Sequence, residues 1–166
     1  MHLIIAAVSA VAAALAEFTL APYLTFAGAV PHFVLVFGVV WTILVGLEAG
    51  LVWAFVGGLA LDTLVGRPIG SSAFVLLLVL GLASLIGGAS GRARLGAPVI
   101  AAFICSLGYS MLLLVTSVTL QGPVALPDPI GTFLPSAVYD TVLAVLVGPL
   151  AIAIQVRRRA AERVEW

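Results

Sequence analysis

The sequence contains no lysine, only one cysteine, and few charged residues of any kind: 8% of its 166 residues. Soluble domains carry about a quarter charged residues, so this chain cannot cover a water-facing surface. Seven arginines balance seven acidic residues, and this neutrality excludes a general basic surface for nucleic acid. Cys105 lies inside an apolar run, and as the lone cysteine it excludes intrachain disulfides and a cysteine-rich metal site.

The motifs of common catalytic sites are also missing. No serine lies in a Gly-x-Ser-x-Gly elbow, neither His2 nor His32 belongs to a His-Glu-x-x-His pattern, and there is no Gly-x-x-x-x-Gly-Lys loop. Asp62 and Asp140 formally allow an intramembrane aspartyl pair, but both lack the flanking residues of such proteases. We therefore predict a protein that is not an enzyme and that binds neither a metal ion nor a cofactor.

What the sequence has in abundance is apolar residues, at 63% with a mean hydropathy of +1.30. A helix needs about 20 such residues to cross the hydrocarbon core of a bilayer. Helix-breaking residues and charged residues divide the chain into six predicted spans, which form one all-α polytopic domain over residues 1–156. The predicted spans are residues 3–20, 32–46, 48–65, 71–88, 97–120 and 132–156.

Two parts of this division have alternatives. Residues 32–65 are interrupted by "VGLEAG", where Gly46 and Gly50 flank Glu48. This pattern favours two short helices joined by a tight turn. The alternative is one long tilted helix with a re-entrant piece, which would give five spans. The first span contains Ala14-Leu15-Ala16 before Glu17, which resembles a signal-peptidase site, but "MHLII" has no basic region, so we expect a retained membrane helix.

The arginines predict the orientation of the bundle. Six of the seven lie either between the fourth and fifth spans or after the sixth, and six spans place those two regions on one side. Only Arg67 falls on the other side. Cytoplasmic loops are enriched in arginine, so both termini are predicted to be cytoplasmic, with residues 157–166 forming a basic cytoplasmic tail and the lipid bilayer surrounding the helices.

Small residues predict where helices pack. Ala6, Ala10 and Ala14 recur at four-residue spacing on the first span, and Gly46 and Gly50 do so at the start of the third. Most such patterns pack a membrane protein against itself. Because a terminal helix is often peripheral, the alanine row is nevertheless the best candidate for an outward partner surface.

Five ionisable residues are predicted to lie in the outer half of the bundle, because each is near the external end of its span or turn. Intramembrane ionisable groups usually pair inside the bundle, for example as Asp62–Arg67 or Asp140–Arg67, and this is the favoured interpretation. An outward cavity or a partner-binding groove is the alternative. On the cytoplasmic side, Glu48 is expected to pair with Arg92 or Arg94. The outer polar cluster consists of Glu17, His32, Asp62, Arg67 and Asp140.

Four stretches carry a resemblance to a known family. The strongest, "GGLALDTLVGRPIGSSAFVLLLVLGL" (57–82), is similar to a Leu-Asp-Leu-Leu-x-Gly-x-Pro-Leu-Gly stretch of the MreD family, the small multi-spanning membrane proteins of the bacterial rod-shape system. "AEFTLAPYL" (16–24) and "GAVPHFVLV" (28–36) resemble that family's exit from the first helix and entry to the second. "LPSAVYDTVLAVLVGPLAIAIQVRRR" (134–159) resembles its last helix and basic tail.

The resemblance implies a fold and a role. The fold would be similar to the S components of energy-coupling-factor transporters. The role would be a scaffold for peptidoglycan synthesis in the bacterial inner membrane, bound to an MreC-like single-pass protein. Through that partner it would connect to the wall-building glycosyltransferase and transpeptidase and to actin-like MreB. The alternative is a vitamin-binding transport subunit that uses the outer polar cluster as its pocket.

Overall fold

The computed structural model describes residues 2–25, 29–89, 96–122 and 129–162, and within these ranges the chain forms six α-helices. A single turn of 3-10 helix, Ala21–Tyr23, follows the first of them. The helices are α1 (His2–Leu20), α2 (Phe33–Val45), α3 (Leu47–Val65), α4 (Ser71–Ala89), α5 (Ala97–Gln121) and α6 (Pro129–Glu162).

All of these helices except α2 are long and apolar enough to cross a membrane, which confirms the polytopic helical class. Residues 32–65 form two helices, as the sequence favoured, with Gly46 between them at a φ of 125°. Since α2 has 13 residues, it is about 20 Å long and falls short of the hydrocarbon thickness. The sixth helix is longer than predicted: it continues beyond residue 156 to Glu162, because arginine, alanine and glutamate are good helix formers even where the sequence stops being apolar.

The short helix α2 lies at the centre of the bundle and contacts the other five helices. Around it, α1 packs on α3, α3 on α4, α4 on α5, and α5 on α6. No Cα atoms of α1 and α6 approach within 8 Å in the described residues, so the ring around α2 is open between these two helices. We call this opening the α1/α6 seam.

The residues of α2 that face the surrounding helices are the most deeply buried. Val34, Leu35 and Val39 are inaccessible or nearly so, and they pack in the main core with residues from α1, α3, α4 and α5. Phe33, Phe37 and Trp41 recur at four-residue spacing on the remaining side and are half-buried. This aromatic row is only partly covered, although Phe37 and Trp41 still pack against the main core.

Glycines allow the central helices to approach closely. A Cβ atom at Gly58 of α3 would lie 2.3 Å from the Cα atom of Ala73 in α4, a distance that backbone atoms cannot tolerate. At Gly50 it would lie 2.1 Å from Oγ1 of Thr42 in α2. Gly50 thus packs α3 onto α2 within the chain, and Gly46 serves the turn between them.

The alanine row of α1 does not face outward, and that expectation was wrong. Ala6, Ala10 and Ala14 are completely buried, and a Cβ atom at Gly57 of α3 would lie only 3.4 Å from the Cβ atom of Ala10. Small side chains bring α1 against α3, while the large ones, such as Val8 at 66% exposure, point to the outside.

Candidate functional site

Two carboxylates from neighbouring helices cap the amino terminus of α2. This terminus lies inside the bundle, and the side chain of its N-cap residue, His32, makes no capping hydrogen bond. The backbone N–H of His32 donates to Oδ1 of Asp140 in α6 at 2.9 Å, and that of Val34 donates to Oε2 of Glu17 in α1 at 2.8 Å. Unpaired N–H groups at a buried helix start are costly, and these acids satisfy two of them and complement the helix dipole.

Asp140 makes two further contacts. Its Oδ2 lies 2.8 Å from Nδ1 of the His32 ring and accepts a hydrogen bond from the Ser106 hydroxyl of α5 at 2.5 Å. Asp140 is 0% exposed, and its carboxylate binds His32 and Ser106 rather than Arg67. The Asp140–Arg67 pair expected from the sequence is therefore not formed.

Asp62 performs the same task for α4. Its carboxylate accepts the backbone N–H of Gly70 at 2.8 Å, the N–H of Ser72 at 3.0 Å and the Ser71 hydroxyl at 3.1 Å. Gly66 and Gly70 adopt left-handed backbone conformations, with φ values of 74° and 96°, and so fold the α3–α4 turn back onto the carboxylate. Asp62 is 0% exposed, and the predicted Asp62–Arg67 pair is also absent.

The Arg67 side chain contacts hydroxyl groups. Its Nη1 donates to the Ser72 hydroxyl at 3.3 Å, and its side chain also interacts with Tyr109 of α5. No carboxylate in the described part of the chain lies within 4.0 Å of its guanidinium. Glu17, Asp62 and Asp140 instead accept hydrogen bonds from backbone N–H groups.

A cavity of about 290 Å³ opens beside Arg67, between the α3–α4 turn, α5 and the start of α6. We call it the Arg67 pocket. His32 and Tyr109 line it, and their rings meet edge to face with centroids 5.3 Å apart. Glu17, Asp62 and Asp140 are not among its lining residues. The pocket is therefore lined by a guanidinium, an imidazole and hydroxyl groups, with apolar side chains completing it.

The structure brings the five predicted residues to one end of the bundle but gives them different surroundings. Glu17, His32 and Asp140 meet at the start of α2. Arg67 shares the pocket with His32. The Asp62 carboxylate and the Arg67 guanidinium are linked through Ser72, while the Arg67 backbone N–H donates to the Asp62 carbonyl oxygen at 3.0 Å. Glu48 is exposed in the first turn of α3, and its expected partners, Arg92 and Arg94, lie outside the described residues.

The sequence reasoning missed the contribution of α5. Ser106 donates a hydrogen bond to Asp140. One wall of the pocket consists of Tyr109, Ser110 and Ser117. The available signal was their spacing, because in an otherwise apolar helix polar residues three, four and seven positions apart lie along one side. We had considered these serines only as candidate nucleophiles.

These features define a polytopic helical membrane protein with capped, buried helix termini and, at one end, a mainly apolar pocket that also contains Arg67, His32 and hydroxyl groups. The family model described as "rod shape-determining protein MreD" matches residues 1–154, and the chain belongs to this family. No curated protein and no solved structure is found to match the chain. The similarity to S components consequently stays a prediction.

Proposed function

We propose that this chain is a non-enzymatic scaffold of the bacterial cell-elongation complex and that it binds the transmembrane helix of an MreC-like single-pass protein. Membership of the rod shape-determining family supports the role. In this proposal the chain lies in the cytoplasmic membrane with both termini inside the cell. Its partner connects it to the peptidoglycan glycosyltransferase and transpeptidase and to actin-like MreB.

The observation that carries this proposal is the α1/α6 seam. There α1 and α6 do not meet over the central helix, and we infer that its half-buried aromatic row, Phe33, Phe37 and Trp41, lines the opening. The rings of Phe33 and Phe37 stack with centroids 6.3 Å apart, and Trp41 stacks on Trp53 of α3 at 5.8 Å. These contacts hold the row in place, so it forms a fixed surface along which a single helix can pack.

Crosslinking and affinity measurements test this docking surface. Phe37→Cys should crosslink to a cysteine in the partner's transmembrane helix, while Leu85→Cys, on a 71% exposed position of α4, should not. The native Cys105 is buried and gives little background. Phe37→Ala removes one half-buried ring of the row, so it should weaken partner binding by about 3- to 10-fold through lost packing. Equal crosslinking at both positions, together with unchanged binding by Phe37→Ala, would rule out the seam as the docking site.

A second candidate function is a small-molecule-binding subunit of an energy-coupling-factor transporter, with the S-component-like fold that the resemblance implies. The observation that favours it is the Arg67 pocket, since a cavity of about 290 Å³ can hold part of a vitamin-sized molecule. Native mass spectrometry after mild extraction separates the two functions. A stoichiometric single-pass partner supports the scaffold, and co-purified ATPase subunits with a bound small molecule support transport.

A further inference from the structure

The Arg67 pocket has a charge character that the sequence does not suggest. Three acids in the outer polar cluster predict an acidic site, but all three carboxylates accept backbone N–H groups at the starts of α2 and α4. Arg67 and His32 are the ionisable side chains of the cluster that line the cavity. The group that fits beside them is an anion.

Hydroxyl groups lie along part of the same space. Ser110 and Ser117 of α5 and Ser136 of α6 are among the residues that line the cavity. The Ser136 oxygen accepts the backbone N–H of Val30 at 3.2 Å, so its own proton is directed elsewhere. A guanidinium with hydroxyl donors beside an apolar wall suits a phosphodiester, which combines charged oxygens with ester-linked apolar chains.

The depth of the pocket matches the level of lipid head groups. Arg67 lies in the turn between α3 and α4, each of which has 19 residues and is therefore about 28 Å long. Helices of this length cross the hydrocarbon core, so the turn between them lies at the membrane surface on whichever side it faces. Leu113 and Leu114 of α5 and Phe133 of α6 complete the wall with apolar side chains that acyl chains can contact.

From this arrangement we propose that the Arg67 pocket binds the phosphate group of a membrane phospholipid. Arg67 supplies the charge, and the hydroxyl groups of α5 and α6 bind the remaining phosphate oxygens. The apolar wall accommodates the start of the acyl chains. The proposal does not depend on the partner or on the α1/α6 seam, which lies on another side of α2.

Lipid retention by the full-length protein tests this proposal. The protein is delipidated in mild detergent, given phosphatidylglycerol or diacylglycerol with identical acyl chains, and examined by native mass spectrometry. We expect one retained phosphatidylglycerol per chain and no retained diacylglycerol, which lacks the phosphate. Equal retention of the two lipids would overturn the proposal, because it would mean that only the acyl chains are recognised.

Variants locate the binding site. Arg67→Gln should reduce phosphatidylglycerol retention at least 10-fold, and Ser117→Ala, which leaves the α3–α4 turn untouched, should reduce it about 3-fold. Arg157→Gln removes the same charge from the far end of α6 and should have no effect. Size-exclusion chromatography and circular dichroism verify folding. Full retention by folded Arg67→Gln or Ser117→Ala would place the lipid elsewhere and overturn the proposal.

Competition identifies the source of the anion. Millimolar inorganic phosphate should leave the lipid in place, because it lacks the acyl chains. If phosphate alone displaces phosphatidylglycerol, the pocket is a site for a soluble anion and the assignment to lipid is wrong. If the pocket retains no phospholipid but an acidic peptide segment of a protein partner protects Arg67 from modification by phenylglyoxal, the site recognises protein and the proposal fails.

Discussion

Asp140 and His32 are 108 residues apart in sequence and are joined by two contacts: the His32 backbone N–H and the Nδ1 atom of its ring both lie within 2.9 Å of the Asp140 carboxylate. One side chain of α6 thereby fixes both the start of α2 and the orientation of the ring that lines the Arg67 pocket. Breaking a buried pair of this kind costs about 3–5 kcal/mol, because one member is left unpaired.

We expect Asp140→Asn to lower the thermal stability of the purified protein strongly, and His32→Gln to lower it as well. Since both substitutions break the contact between His32 Nδ1 and Asp140 Oδ2, the loss in the double variant should be smaller than the sum of the two single losses. Thermal unfolding in detergent, followed by tryptophan fluorescence, measures all four proteins of this cycle. Additive losses would show that the two side chains do not depend on each other.

Asp62 should act through the cap of α4. Asp62→Ala leaves the N–H groups of Gly70 and Ser72 without their acceptor and should cost about 1–2 kcal/mol or more. Asp62→Asn keeps one acceptor oxygen, so its loss should be smaller. Thr63→Ala, at the exposed neighbouring position, is the matched control and should leave the unfolding temperature almost unchanged. Equal losses for the alanine and asparagine variants would contradict the capping role.

The approach of α3 to α4 depends on Gly58. Gly58→Ala places a methyl group against the backbone of Ala73, so we expect a poorly folded protein or a stability loss above about 3 kcal/mol. Gly81→Ala is the control, because a Cβ atom there meets no other atom within 4 Å. Fluorescence-detected size-exclusion chromatography compares the yields of monodisperse protein. A normal yield of Gly58→Ala would show that the two helices can separate without penalty.

The inward direction of the alanine row is testable on α1. Ala10→Leu inserts three carbon atoms between α1 and α3 and should cost about 1–3 kcal/mol through overpacking. Val8→Leu also enlarges a side chain of α1, but at a position 66% exposed, and should be nearly neutral. The unfolding temperatures of the two variants, measured in detergent, test this difference. If Ala10→Leu is as stable as Val8→Leu, the row does not pack against α3 as described.

Much of this fold is predictable from local sequence. Hydropathy predicts six apolar helices, and five of them are long and apolar enough to cross a membrane, because a long apolar segment in a chain with so few charges is stable only in a bilayer. The break at Gly46 separates α2 from α3, since its φ of 125° suits glycine. The turn from α3 to α4 is equally local, because the N–H groups that donate to the Asp62 carboxylate lie within ten residues of it.

The tertiary structure decided which faces point inward. In a bilayer, apolar side chains suit lipid and protein interior equally well, so polarity does not reveal that Ala10 is buried and Val8 exposed. The partners of the acids were hidden for a related reason. A carboxylate binds whichever donors the fold brings to it, and here those are backbone N–H groups at helix starts, among them that of His32, 108 residues from Asp140. Composition and spacing determined that this chain crosses a membrane and resembles its family, whereas packing alone left the aromatic row of α2 half-buried and placed no carboxylate of the described residues within 4.0 Å of Arg67.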